Sequence, residues 1–354
     1  MAGLVESNVY GLWVTAQKDK DTPGDDADAR KLIHVSGDLD TNRQDGSENW
    51  SDGTRFGDIT EWVQSIDGAG TPVIEATPLD LEYLLWLFTG QENVTGTTIK
   101  SHEFTPGATT GHWSTWFKSV GLSTVHRQQF NAVKQTAIRL EGSTANKVLK
   151  YTPTLVSLDP GVHIDADPAA DVVKGTVGGA DDNRPWIYTE AAGTFKVGGT
   201  VFRGHTQFAL VISDGGAPLY GDDVVPFDVG PGQPQVSIEG VSLILDDASL
   251  AVYNSIVYGD PTPAAGDKPI RNLDDLSYGS WSADFQRNGA TTSAQQRCHI
   301  ELPRVKWNPD VAIAPNPDGG ALEIPIGGRV QNDGTNPLWR ITTQSNQAAF
   351  ALPV

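Results

Sequence analysis

The sequence predicts a mainly-β protein made of two tandem β-sandwich or half-barrel domains, each carrying one short helix. Three observations point that way. A strand–helix–glycine block occurs twice, at 73–90 and at 236–259. Outside those blocks the apolar residues recur at period two; Thr206, Phe208, Leu210 and Ile212 alternate with Gln207, Ala209, Val211 and Ser213. Long strands also change apolar parity at a glycine or proline, as a sheet does where it bends through a β-bulge.

In chain order, 9–14 is apolar and reads as a first strand. Residues 17–30 hold Asp, Lys, Pro and Gly and read as a solvated loop or arm. A short strand at 31–35 precedes a second polar, turn-rich excursion at 38–52. Residues 58–66 fit two patterns. Ile59, Trp62, Val63 and Ile66 suit a helix opened by Asp58 and Glu61, but the matching stretch 222–230 contains Pro226, and the reading adopted is strand. The first block then supplies Thr77 as N-cap, Pro78 at the first helical position, Asp80 and Glu82 in the first turn, and Gly90 as the stop. Residues 91–112 are polar and rich in Gly and Thr. A strand at 113–120 leads into a long hairpin over 130–158, where Leu149 and Tyr151 share one parity and Val156 and Leu158 the other. Pro153 between them predicts a bulge.

Residues 161–183, rich in Asp, Gly and Ala, hold the domain boundary. The division is 1–165, a linker at 166–183, and 184–354. Strands follow around 186–188, 195–202 and 206–213. In 236–245 the parity switches at Gly240, and in 298–307 at Pro303. Asp246-Asp247 opens the second helix and Gly259 closes it. After a Pro/Asp-rich loop at 261–275, strands are expected at 280–287, 296–307, 321–330 and 337–343. The halves match in order. Phe56-Gly57-Asp58 against Tyr220-Gly221-Asp222 and Glu75 against Glu239 share a spacing of 164; Trp113, Phe117 and Gly121 against Trp281, Phe285 and Gly289 share 168; Gln128-Gln129 against Gln295-Gln296 share 167. Ordered matches at a drifting spacing indicate a duplicated unit.

The chain of 354 residues has room for two cores. Asp and Glu outnumber Lys and Arg by 44 to 25, a formal charge of −19, which repels phosphate and anionic lipid and excludes a nucleic-acid-binding surface built from clustered cations. Such a surface also suits a salt-loving host. The one cysteine, Cys298, forms no internal disulfide and alternates with Ile300 and Leu302, as a small core residue does. No signal-like or membrane-length apolar run is present, so a soluble protein made in the cytoplasm is expected.

No catalytic constellation emerges: the seven histidines have no metalloprotease spacing, and nucleophile elbow, phosphate loop and dinucleotide fingerprint are missing. No catalytic, cofactor or metal residue is assigned. Asp165, Asp167 and Asp171 could hold calcium, but lack the glycine and terminal glutamate of an EF-hand, and read better as linker. Ten tryptophans raise a sugar-binding or glycosidase alternative, since indoles stack on sugar rings. Trp86, Trp113 and Trp281 read as structural; Trp13, Trp50, Trp62 and Trp307 stay open.

With the helical blocks, the Trp-x-x-x-Phe strand and the bulged hairpin together, the chain resembles the tail tube (major tail) proteins of long-tailed bacteriophages and archaeal viruses. The likeness is carried by 73–90, 236–259, Phe56-Gly57-Asp58, Tyr220-Gly221-Asp222 and the hairpin 130–158. It implies subunits that close into a ring-shaped inter-subunit β-barrel, and rings that stack into a conduit for viral DNA. The doubling departs from a simple member: two domains per chain imply a trimeric ring with pseudo-sixfold symmetry, a hexamer being the second choice. Implied partners are further copies, the tape measure protein and other tail proteins, and DNA that passes without specific binding; no membrane is involved. The implied location is the virion tail, assembled in the host cytoplasm. Glu75 and Glu239 are candidates for the lumen wall, and Asp25, Asp26, Asp40 and Asn42 for loops between rings. A tail spike and a terminator or distal-tail adaptor on the same fold are the alternatives.

Overall fold

The computed structural model describes residues 10–49, 59–107, 110–121, 125–175, 177, 179, 181–202, 204–270, 278–287, 295–308 and 322–353. Phe56-Gly57-Asp58, Trp50 and Gly289 therefore lie outside the described residues. The protein is mainly β. Its elements in the first half are β1 (Tyr10–Ala16), β2 (Arg30–Lys31), β3 (His34–Ser36), β4 (Leu39–Asn49), β5 (Ile59–Gly70), β6 (Val73–Glu75), α1 (Pro78–Thr89), β7 (Asn93–Thr95), β8 (Lys100–Phe104), β9 (Ser114–Gly121), β10 (Val125–Ser143), β11 (Lys150–Ser157) and β12 (Val162–His163). The second half holds β13 (Lys196–Val197), β14 (Thr200–Val201), β15 (His205–Ser213), β16 (Ala217–Leu219), β17 (Asp228–Gly230), β18 (Gln235–Ile244), α2 (Asp247–Tyr258), β19 (Tyr278–Arg287), β20 (Gln296–Trp307), β21 (Glu323–Val330) and β22 (Arg340–Ser345).

Both helices form for local reasons. Thr77 accepts from the Asp80 backbone N–H, Pro78 opens α1, and Gly90 ends it at φ 70°. Asp246 accepts from the Ser249 N–H, Ser249 Oγ accepts in return from the Asp246 N–H, and Gly259 ends α2 at φ 77°. Each N-cap is worth about 1 kcal/mol, and each helix is 12 residues long. Cap to cap, the helices stand 169 residues apart.

The hub of the sheet is β10, with 19 residues. Its residues 125–133 pair with β9 and 137–143 with β15, while β11 pairs along 133–141. Residues 137–141 thus have β11 on one edge and β15 on the other, and β9 shares the β15 edge. From β15 the ladders run on through β18, β21 and β20 to β19 and β22, and β22 pairs with β8 of the first half. One apolar cluster runs through both halves, from Leu12 and Trp116 to Trp281 and Ile341. Apart from the ribbon β16–β17, the strands make one connected system.

Two of the three expected bulges lie where the parity switches. The register shifts between Ile238 and Val241, with Gly240 at φ +57°, and between Leu302 and Val305 around Pro303. The third is corrected. Strand β11 keeps Tyr151, Pro153, Leu155 and Ser157 all inward, and the extra residue is Thr136 on the partner strand, between Gln135 and Ala137. Proline fits at 153 because its neighbour strand, not its own, absorbs the irregularity.

Other readings shift as well. Of the polar excursion 38–52, residues 39–49 are a strand rather than a loop, paired along its length with β5, and 50–52 lie outside the described residues. The expected strand over 58–66 is present from Ile59. The polar stretch 91–112 contains β7 and β8. Strand β10 has a second bulge, between Phe130 and Val133 on its β9 edge, and the core tryptophan opposite it is Trp116, at the place Trp281 takes opposite the β20 bulge; both are fully buried, whereas Trp113 precedes β9 and lies under Lys134 Nζ at 4.3 Å. Within 166–183, Asp182 and Asn183 are buried, and Asn183 Oδ1 accepts from Leu79 N–H at the start of α1. No helix among the described residues is long and apolar enough to cross a membrane.

Candidate assembly surfaces

Strand β4 is polar after Leu39, so the apolar residues of the hairpin beyond it, Trp62, Val63 and Ile66 among them, stand on β5. The base of the hairpin is clamped. Leu39 is fully buried, and Lys118 of β9, only 3% exposed, donates to the Leu39 carbonyl at 3.0 Å and to Asp38 Oδ2 at 3.1 Å, with Asp40 Oδ2 at 3.5 Å. The Tyr10 hydroxyl donates to Asp38, and burial together with that carboxylate raises its pKa. Further out, Ile66 N–H donates to Val224 O at 2.9 Å and the Tyr220 hydroxyl to Asp67 Oδ2 at 2.5 Å. Ile66 sits opposite Arg43, so with Ile66 turned toward Val224 the pair is a non-hydrogen-bonded one. The Arg43 N–H and C=O then point out along the other edge of β4, where no ladder adds among the described residues.

The sequence-predicted residues do not converge. Asp40 and Asn42 stand on this strand rather than in a loop, Asp40 beside Lys118 and Asn42 across from Asp67. Asp25 caps a short 3₁₀ turn, accepting from Ala27 N–H at 2.9 Å, and both Asp25 and Asp26 are exposed. Glu75 pairs across the ladder with Lys150, and burial raises its pKa against that lysine. Glu239 is exposed and lies 3.2 Å from Arg139. The two glutamates also stand at different distances from the helix that follows, two residues before the Thr77 cap and seven before the Asp246 cap.

The helices differ most in what covers them. All twelve residues of α1 are buried; in α2 only Ser249, Ile256 and Val257 are. The cover of α1 comes from both halves: β8 and β10 of the first, and β20, β22 and the C-terminal segment of the second. The Phe350 ring lies edge-on to Tyr83 and tilted against Trp86, each 5.4 Å between centroids, and Ser345 Oγ donates to Glu82. The α2 surface meets instead an open groove of about 360 Å³ lined by Ala248, Ala251, Val252, Tyr278 and Trp307. The sequences agree with this difference, α1 being apolar nearly all round and α2 carrying Asp247, Ser249, Asn254 and Ser255.

Charged groups inside the protein serve packing. His102 Nδ1 lies 2.8 Å from Glu92 Oε2, and Phe350 N–H donates to Glu92 Oε1 at 2.5 Å. Burial drives the Glu82 pKa up to about 7, opposed by His102 and Ser345. Burial alone would lower the pKa of His102, but its hydrogen bond to Glu92 and the charges of Glu82 and Glu92 raise it on balance. Arg287, 6% exposed, donates to both Glu190 oxygens and to the carbonyls of Arg184 and Pro185, and stands 3.6 Å from Asp182. Cys298 is fully buried and burial raises its thiol pKa.

No group of three or more His, Cys, Asp and Glu among the described residues could hold a metal ion. Asp167 pairs with Arg127 at 2.9 Å and Asp171 lies 4.0 Å from Lys31, so the suspected calcium cluster is engaged with cations. Trp13, Trp86, Trp281 and Trp307 are buried, while Trp62 is 46% exposed. No protein-family model matches the chain and no curated protein matches it, so the functional reading rests on these residues and their geometry.

Proposed function

We propose that this chain is a structural virion protein that polymerises into stacked rings, forming a tail tube through which DNA passes. The observation that carries the reading is the paired architecture. Two capped 12-residue helices each follow a strand and precede an antiparallel pair with a bulge opposite a buried tryptophan, Trp116 or Trp281. Two such tube domains in tandem support a trimeric ring with pseudo-sixfold symmetry, closed by heterologous contacts. A formal charge of −19 supports a conduit that phosphate slides past. Since Glu75 faces Lys150 and Glu239 faces Arg139, those two acids alone would make a weak contribution to a negative lumen. Tape measure and other tail proteins are the further partners in this reading.

The sugar-binding alternative draws little support, because the buried tryptophans leave Trp62 as the exposed indole among the described residues. Negative-stain microscopy of the purified protein over a concentration series tests the proposal. Rings or tubes with three two-lobed chains per layer, six lobes in all, are expected. Protein that stays monomeric and binds glycans would sink it, and a single ring that never stacks would favour the terminator or adaptor.

A further inference from the structure

After β22 the described chain forms no further strand, and residues 346–353 lie across α1 as a strap. Among the described residues its backbone meets the body of the protein at two points. Gln347 O lies 3.1 Å from His102 Nε2, and Phe350 N–H donates to Glu92 Oε1 at 2.5 Å. The Phe350 ring packs on Tyr83 and Trp86 of α1 and stands 6.0 Å from the His102 ring. Both backbone contacts belong to one pair, because His102 Nδ1 lies 2.8 Å from Glu92 Oε2 and the imidazole is fully buried.

The chemistry of these atoms fixes a proton count. A carbonyl oxygen only accepts, so His102 Nε2 carries a hydrogen for Gln347 O. The contact between Nδ1 and Oε2 needs a second hydrogen, since a bare ring nitrogen and a bare carboxylate oxygen would face each other as lone pairs. The strap is therefore bound to a pair that holds one proton more than a neutral imidazole and a carboxylate. Burial of His102 opposes that proton, while its hydrogen bond to Glu92 and the charges of Glu82 and Glu92 favour it and prevail. The other elements around the strap add little of either sign. From β2, Arg30 stands 5.3 Å from the Phe350 ring; from β20, the Cys298 thiol is kept neutral by burial; β22 presents the uncharged Thr343 and Ser345. Glu103, next on β8, pairs with Arg340 at 3.3 Å, and burial keeps His112, beside Trp86, neutral.

We propose that residues 346–353 form a pH-gated strap: the proton between Glu92 and His102 holds it on α1, and loss of that proton releases it while the sheet stays folded. Without the proton, either Nδ1 faces Oε2 bare or Nε2 gives up its hydrogen and Gln347 O loses its donor. Each alternative breaks one of the buried contacts on which the strap depends. Release uncovers the Tyr83 and Trp86 rings. The strap stands apart from the ring-forming reading and does not depend on it.

Nitroxide mobility in the full chain tests it. Cys298 is the one cysteine and is fully buried, so Ala348→Cys places a single reactive thiol on the exposed strap. Thr154→Cys places one on the exposed face of β11 as the control. From about pH 5.5 to about pH 9, across the histidine range, the label at 348 should become mobile and the label at 154 should not. With one proton linked to closure, the ratio of open to closed strap should rise by up to about tenfold per pH unit. Glu92→Gln in the Ala348→Cys background supplies the hydrogen from its amide to a neutral His102, while its oxygen still accepts from Phe350 N–H. Its label should stay immobile throughout. A label at 348 whose mobility ignores pH overturns the proposal, as does mobilisation at 154 in step with 348. Opening of Glu92→Gln at the same pH as its parent also overturns it.

Discussion

Ser345 Oγ donates to Glu82 Oε2 at 2.8 Å, joining the last strand of the chain to the first helix across 263 residues of sequence. Around that bond, Glu82, His102 and Glu92 are withdrawn from water, and Phe350 closes over α1. The packing of the C-terminal segment on α1 is therefore coupled to protonation.

The pH dependence has a definite sign. Glu82 has a folded-state pKa raised to about 7, above its unfolded value, so the folded protein binds the proton more tightly and loses stability as pH rises through the window up to about 7. His102, also raised, contributes stability below its unfolded pKa that is lost as pH rises through the folded one. Glu82→Gln should flatten the fall in Tm between pH 5 and pH 8 by about 2 °C or more. Equal slopes for the two proteins would show that Glu82 is not the titrating group.

Arg287 should behave as a buried cation whose loss strands Glu190, while Asp182 keeps its pair with Arg184. Arg287→Ala is expected to cost about 3 kcal/mol or more in chemical denaturation, because the Glu190 carboxylate it faces stays nearly buried. Arg287→Lys should recover only part of this, since an ammonium cannot bridge two carboxylate oxygens and two carbonyls at once. A loss below about 1 kcal/mol for the alanine variant would contradict the placement.

Gly240 isolates backbone strain from crowding. Its φ is +57°, and a Cβ added there would meet nothing closer than Gln207 Nε2 at 3.9 Å. Gly240→Ala should cost about 1 kcal/mol and Gly240→Asn less, as asparagine tolerates the left-handed region better. Identical urea midpoints for the three proteins would place the bulge elsewhere.

Salt should promote self-association. With a formal charge of −19 on each chain, like charges oppose assembly, and screening at ~1 M salt shortens their reach to about 3 Å. Sedimentation at rising NaCl should move the population toward larger species. A shift toward monomers would mean that ion pairs, not strand pairing and apolar contact, hold the copies together.

The parts legible in the sequence were those with local causes. Thr77, Pro78, Gly90, Asp246 and Gly259 mark helix ends because capping involves residues within one turn. Gly240 and Pro303 mark bulges because an extra residue flips the apolar parity beside it. The arm was misread as a loop for an equally physical reason. Beyond Leu39, β4 has no core to face, so it carries no alternation to read. Trp113 was matched with Trp281 by spacing, yet register and bulge bring Trp116 to that place.

By itself, then, the sequence determined the strand-rich class, both helices with their ends, and an acidic, cysteine-poor surface. Tertiary structure alone decided that β8 pairs with β22, that β15 takes the free edge of β10, and that α1 is sealed while α2 stays open. Those outcomes depend on contacts between residues far apart in the chain. The all-round apolar sequence of α1 marks it locally for burial, but which residues cover it, Ser345 and Phe350 among them, was settled by partners more than 250 positions away.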